Sequence, residues 1–335
     1  MMEDKILLAH GSGGKLTHDL VKHCFVSMLN NPLLNKLDDA ATVNLNGQVA
    51  FTTDSFVVSP LFFPGGDIGK LAICGTVNDL SMVGAIPLYL SLSLIIEEGL
   101  TLKHLKQIMS SIQETAEEAE VKVITGDTKV VNRGCADKLF INTAGIGIVP
   151  DGVTISGSEA KIGDKVILSG PIGDHGIAII SQREGLTFET SLQSDCAPLN
   201  KLVADILDVS KEIHCLRDPT RGGLASTLNE FAEHSKVGIR IDEKSIPVND
   251  PVRAACELLG FDPLYVASEG KLVAVVAPQD AEKVLATMLE NKYGTQAIII
   301  GEIVADHPGR VVMETRFGTS RIIDMLAGEL LPRIC

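Results

Sequence analysis

The 335-residue sequence predicts an α/β or α+β chain of two domains, on three observations. Short β-branched runs alternate with amphipathic helical patterns. Apolar residues make up 45% of the chain but aromatics only 4%, with no Trp, so Leu, Ile, Val and Ala must fill the core, as they do in helix-covered sheets. The segment 150–164, "PDGVTISGSEAKIGD", is rich in Gly, Ser and Asp, lacks periodicity, and separates halves of comparable length. The expected organisation is an N-terminal domain over 1–150, a C-terminal α/β domain over 151–310 and a tail over 311–335.

The N-terminal stretch "MMEDKILLAHGSGGK" is acidic, and its apolar run is too short for a signal peptide. No stretch reaches the roughly 18 apolar residues of a membrane span, so the chain is read as cytosolic. In "HGSGGKLT", 10–17, Gly11, Gly13 and Gly14 would let backbone N–H groups approach a phosphate, and Lys15 would add a point charge. The Walker pattern needs Gly at 9 and Ser or Thr at 16, where Ala9 and Leu16 stand, so a plain Gly-rich lead into a helix near Thr17 is the alternative. Strands are expected at 49–53, 121–125, 139–149, 165–169, 272–277 and 298–304. Between them, Leu102, Leu105, Ile108, Ile112, Ala116 and Ala119 recur three or four apart with charges opposite, which is a surface helix.

The formal net charge of −14 repels nucleic acid and anionic lipid, and no Lys/Arg cluster interrupts it. An anionic ligand must then be held by backbone N–H groups, a bound cation or a few placed Lys and Arg. Cysteines at 24, 74, 135, 196, 215, 256 and 335 are odd in number, scattered and never in C-x-x-C spacing, which argues against a disulfide framework and a zinc knuckle. One of them, Cys335, is the last residue.

The acids carry the functional signal. Asp38 and Asp39 stand in "LDDAAT", Asp54 at the end of a strand in "FTTDSF", Asp79 in "CGTVNDLSMVGA", and Asp127 just beyond a strand in "VITGDTKVV". Each alone suits a turn or a helix cap. Asp79 differs, because its flanks read as a buried helix, where an unpaired carboxylate costs several kcal/mol. Carboxylates gathered at strand ends suit hard divalent cations that bridge phosphate oxygens, and Mg²⁺ with a nucleotide is the economical reading. Lys129 would share a side with Asp127 on a continuing strand, or be a surface lysine balancing local acid.

In the second half, "SGPIGDHG" and "RDPTRGG" both place free N–H groups at a helix start. His175 in the first is a possible base or a hydrogen-bonded structural residue. In the second, Asp218 could hold one guanidinium while Arg221 or Arg217 is offered outward. Glu269, in "ASEGKLV", precedes a strand and suits either catalysis or a turn.

Together "HGSGGK", "DDAAT", "TTDSFVVSPLFFPGGDIGKLAICGTVNDLSMVGAIP", "TGDTKVV", "SGPIGDHG", "RDPTRGG" and the terminal "PRIC" resemble the HypE family of hydrogenase maturation factors over essentially the whole chain. That family sits in the wider superfamily of aminoimidazole ribonucleotide synthetase, selenophosphate synthetase and thiamine monophosphate kinase. The resemblance implies an aminoimidazole ribonucleotide synthetase-like fold, an N-terminal sheet that pairs with its twin in a homodimer, and ATP in the groove. It implies that Cys335 receives a carbamoyl group from HypF, and that ATP drives its dehydration to a thiocyanate. The cyanide would pass to iron on the HypC–HypD complex. Carried onto this chain, Asp39, Asp54, Asp79 and Asp127 are the expected Mg²⁺ ligands. Gly11, Gly13, Gly14, Lys15, Asp218 and Arg221 would bind nucleotide, and Lys129 and Glu269 would manage the amide protons. A selenophosphate synthetase-like phosphotransferase would need a reactive Cys in the N-terminal loop, where none precedes Cys24. A non-catalytic carrier of the carbamoyl or cyano group is the remaining alternative.

Overall fold

The structure, a computed structural model, describes residues 5–38, 40–185 and 192–326. Two sheets organise it. The first has four strands in the order β1-β6-β4-β5, formed by β1 (Gln48–Phe56), β4 (Ile86–Glu97), β5 (Lys122–Val131) and β6 (Leu139–Val149). A two-stranded ribbon, β2 (Phe62–Phe63) and β3 (Gly66–Asp67), leads into α2 (Ile68–Met82). The short α1 (Lys15–Leu20) precedes β1, and α3 (Leu102–Glu118) is the crossover between the parallel strands β4 and β5.

Local sequence explains these elements. Asp67 caps α2, accepting hydrogen bonds from the N–H groups of Gly69 at 2.7 Å and Lys70 at 3.1 Å. Apolar or small apart from Lys70, Asn78 and Asp79, α2 is buried almost throughout and lies on the inner face of the sheet. On β6, burial alternates residue by residue along "LFINTAGIGIV", because only one face of this sheet is covered by helices. The open face carries exposed Val49, Phe51, Ile86 and Ile95.

The second sheet has seven strands in the order β13-β12-β9-β11-β7-β10-β8. In chain order its elements are β7 (Lys165–Leu168), α4 (Asp174–Glu184), α5 (Asn200–Val209), β8 (Ile213–Arg217), α6 (Gly223–Ser235), β9 (Gly238–Asp242), α7 (Asp250–Leu259), β10 (Val273–Val276), α8 (Ala281–Glu290), β11 (Ile298–Val304), β12 (Val311–Glu314) and β13 (Ser320–Ile323). Both faces of its central strands are covered. Val273 and Val275 pack with Leu224 and Phe231 of α6, whereas Ala274 and Val276 pack with Val203 of α5 and Val284 of α8. That is why "VAVV" reads as a continuous apolar run. Residues 311–323, expected in the tail, instead form β12 and β13 of this sheet, with Val311, Met313 and Ile323 in its core. Among the described residues no helix is long and apolar enough to cross a membrane.

Candidate functional site

A cleft of about 670 Å³ opens where the inner side of the first sheet meets the second, lined by Asp54, Gly75, Asp79, Arg217, Asp218, Thr220, Arg221, Thr227, Glu230 and Glu269 among others. Each acid arrives by a different route. Asp54 lies within β1, which runs two residues beyond it. Its carboxylate faces α2: Oδ2 is 3.6 Å from where a side chain on Gly75 would begin. Asp79 is one turn further along α2, half-buried, and accepts a hydrogen bond from Thr52 Oγ1 at 2.9 Å. Asp218 and Arg221 follow β8 in the turn that starts α6.

That turn depends on glycine. Gly223 has φ +61°, and a side chain there would begin 2.6 Å from the Leu264 carbonyl oxygen and 2.7 Å from that of Val266. The close approach brings the 264–269 segment against the turn, where Ser268 N–H donates to the Pro219 carbonyl at 2.9 Å. Glu269, 3% exposed, is thereby placed beside Asp218.

The electrostatics are those of crowded acids in a low-dielectric site. Burial raises the Asp79 carboxyl, and Asp54 raises it further, while Thr52, Arg217 and Arg221 oppose the rise. Burial, then Asp79, pushes Asp218 up to about 7. Burial, then Asp218, Asp195 and Asp54, lifts Glu269 well above the ordinary carboxylate range, with Arg221 pulling the other way. The cations are placed differently from expectation. Arg221 pairs with Asp54 at 3.2 Å and Arg217 with Glu230 of α6 at 2.8 Å. Among the described residues Asp218 forms no ion pair: it lies buried beneath the turn, and both guanidinium groups turn to partners nearer the surface. Asp218 therefore acts as one more carboxylate of the cleft and not as a holder of arginine.

The other expected residues lie elsewhere in the chain. Asp127 is inside β5, not past its end. Pairing runs Asp54 to Thr143, Thr143 to Leu92 and Leu92 to Gly126, so Asp54 and Gly126 share the inner face and Asp127 faces out. Three strand spacings, about 14 Å, also separate the two edges. Lys129 shares the side of Asp127, as its spacing predicts, with Nζ 3.2 Å from the carboxylate; both are exposed. The glycine-rich loop packs on the same strand. A side chain on Gly11 would begin 2.6 Å from the Val130 backbone nitrogen, while Gly14 and Lys15 stand exposed beside it. Gly13 N–H is already taken by Thr17 Oγ1 at 2.9 Å. A smaller hollow of about 250 Å³ below this edge is lined by Asp38 and Asp127. Asp39 and Cys335 lie outside the described residues. His175 is fully buried, bonded through Nδ1 to Ser194 Oγ at 2.8 Å and set edge-on to Phe63, which is a structural role.

Thr52, Asn78, Asp195 and Glu230 also reach this site; Thr52 and Asn78 lie inside the motif that carries Asp54 and Asp79, whereas Asp195 and Glu230 belong to none. Only Asn78 carries a signal in the sequence, an amide next to an acid within a buried helix.

The chain matches the N-terminal domain of the AIR synthase related proteins over residues 37–149 and their C-terminal domain over residues 161–314. It is 53% identical over 329 residues to the carbamoyl dehydratase HypE of Azotobacter vinelandii, spanning 98% of this chain and 96% of that protein. A crystal structure of hydrogenase maturation protein HypE in complex with ATP superposes with a TM-score of 0.95 at 48% identity, covering 98% of this chain and 99% of that one. A chain of a HypE–HypF complex superposes with a TM-score of 0.82 at 50% identity, covering 92% and 99%. The chain belongs to the HypE family of carbamoyl dehydratases, hydrogenase maturation enzymes built on the fold of the AIR synthase related proteins.

Proposed function

We propose that the chain uses ATP to dehydrate a carbamoyl group carried on Sγ of its own Cys335, giving a thiocyanate that supplies the cyanide ligand of [NiFe]-hydrogenase iron. The observation that carries this reading is the cleft itself, where Asp54, Asp79, Asp218 and Glu269 are gathered in a chain 53% identical to a carbamoyl dehydratase HypE. Leu326 Cβ is 3.6 Å from where a side chain on Gly222 would begin, next to Arg221 at the rim of the acidic cleft.

An amide oxygen leaves poorly unless activated first. The carbamoyl oxygen attacks the γ-phosphorus of ATP, the bond to the β,γ-bridging oxygen breaks, and ADP leaves as one N–H proton is removed. The C–O bond then breaks, phosphate departs, the second N–H proton is lost, and S–C≡N remains. Glu269 takes a proton from nitrogen; its raised pKa makes its carboxylate a stronger base than an ordinary one. Water must be kept from the phosphorylated intermediate for the dehydration to go forward.

Asp54 and Asp79 suit a hard cation, being close, mutually repelling and partly desolvated. Mg²⁺ held there would neutralise phosphate oxygens. Among the described residues no three acids, His or Cys are grouped to hold an ion alone; in the proposed assembly a second copy of the chain supplies further ligands. Its open sheet face, with Val49, Phe51, Ile86 and Ile95, is an apolar surface of the kind that buries against a twin. Such pairing would bring Asp127, Lys129 and the Gly11–Lys15 loop of one copy toward the cleft of the other. HypF, the partner in the similar complex, is the carbamoyl donor; a HypC–HypD complex is the acceptor, and the reaction belongs in the cytoplasm.

The test is intact mass after incubation with HypF, carbamoyl phosphate and ATP. A gain of one carbamoyl group followed by loss of one water is expected. A chain that stays carbamoylated in the presence of ATP overturns the proposal.

A further inference from the structure

We infer that Asn78 is a positioning residue for this reaction, its amide holding the backbone of Glu269 in register with Asp79 across the junction of the two sheets. The inference rests on the role given to Glu269 above. Asn78 is completely buried on α2, one residue before Asp79. Its Nδ2 donates to the carbonyl oxygens of Ala197 at 3.1 Å and Glu269 at 3.3 Å. Its Oδ1 accepts from Leu199 N–H at 2.8 Å. One side chain from the first sheet's helix thus satisfies three backbone groups that belong to the second half of the chain, more than a hundred residues away.

Glu269 is held from its other side as well. Its N–H donates to Asp195 Oδ1 at 3.1 Å, and Asp195 lies 3.4 Å from Lys271 Nζ. Gly270 lies against the same segment, since a side chain there would begin 1.7 Å from the Asp195 carbonyl oxygen. The 195–199 segment is therefore a strap between Glu269 and α2, and Asn78 is the bolt that fastens it. Asp79 needs no hydrogen bond to Glu269 for their separation to be fixed, because Asn78 is its neighbour on a rigid helix and touches the Glu269 peptide. A base displaced by about 1 Å loses roughly a hundredfold in rate without losing substrate.

The experiment compares full-length Asn78→Ser with Asn229→Ser in the dehydration of carbamoylated Cys335 with ATP. Asn229 is a similar buried amide, donating to the carbonyls of Ala225 at 2.9 Å and Ile323 at 3.0 Å, but it ties α6 to β13 away from Glu269. The expected result is a roughly hundredfold lower kcat for Asn78→Ser at unchanged KM for ATP, with kcat retained in Asn229→Ser. Asn78→Asp keeps the acceptor for Leu199 and removes both donors, and the same fall in kcat is expected. Equal kcat in all three variants overturns the inference, as does a fall that only tracks the loss of folded protein in both serine variants. A parent protein that leaves carbamoylated Cys335 intact sinks the functional reading itself, and the Asn78 role with it. A crystal structure of Asn78→Asp adds an independent readout: the distance between the Asp79 and Glu269 carboxylates changes if Asn78 positions them, and stays as in the parent if it does not.

Discussion

The cleft and the outer edge at β5 carry the same residue types in opposite environments. In the cleft, Asp54, Asp79, Asp218 and Glu269 lie together, only Asp54 of the four being ion-paired among the described residues, to Arg221, and burial lifts the last three acids. At the edge, Asp127 and Lys129 neutralise each other in water, beside a glycine loop whose Lys15 is also exposed. Acids in the cleft are costly to the fold, and those at the edge cost little. In the proposed reaction the two regions are half-sites: a crowded, anionic one that needs a cation, and an exposed one that would supply further ligands and charge.

The sharpest break between them comes from the tail. Cys335→Ala should retain ATP affinity and yield no cyanated protein at all, measured by calorimetry and intact mass; a normally cyanated variant would sink the tail mechanism.

Next in size are losses that complement. Asp79→Asn and Asp127→Asn should each lower turnover by about 10²–10³. Mixing the two variants should restore part of it, because a heterodimer assembles one site with both native acids. No recovery on mixing, with subunit exchange shown by mass, would place both half-sites in one chain. A charge on the open face, as in Phe51→Glu, should give monomers by light scattering with the cleft unchanged.

A smaller effect lies in stability against pH. Asp218 rises from 3.8 to about 7 on folding, so the native state holds its proton longer than the unfolded chain. Its contribution is fully present below pH 4 and is lost as pH rises toward 7. Asp218→Asn removes that loss, and without nucleotide or divalent cations it should be up to about 4 kcal/mol more stable than the parent at neutral pH. The two should match near pH 4 in thermal melts; a gain at low pH instead would reverse the assignment. Least of all, Lys129→Met should change stability by under about 1 kcal/mol, because its ion pair is 65% and 62% exposed. A larger loss in a denaturant titration would mean that the edge is a structural site.

Much of this was legible beforehand. The strands at 139–149 and 298–304 and the helix from 102 follow from period and β-branching, which act within a few residues. Asp79 stood out because its neighbours were too apolar for a surface acid. The separation of Asp127 from Asp54 was not legible, since it depends on strand order and on a one-residue offset that turns a side chain to the other face. Asp218 was misjudged for a related reason: its arginine neighbours in sequence find nearer carboxylates in space.

The sequence by itself therefore determined several of the elements and the acids that carry the chemistry, because local propensity and residue chemistry travel with the residues. Which acids share a cleft, which face outward, and which amide locks Glu269 to α2 were decided only by the packing of the two sheets. Those contacts join residues a hundred or more positions apart, where no periodicity reaches and burial alone assigns each group its partner.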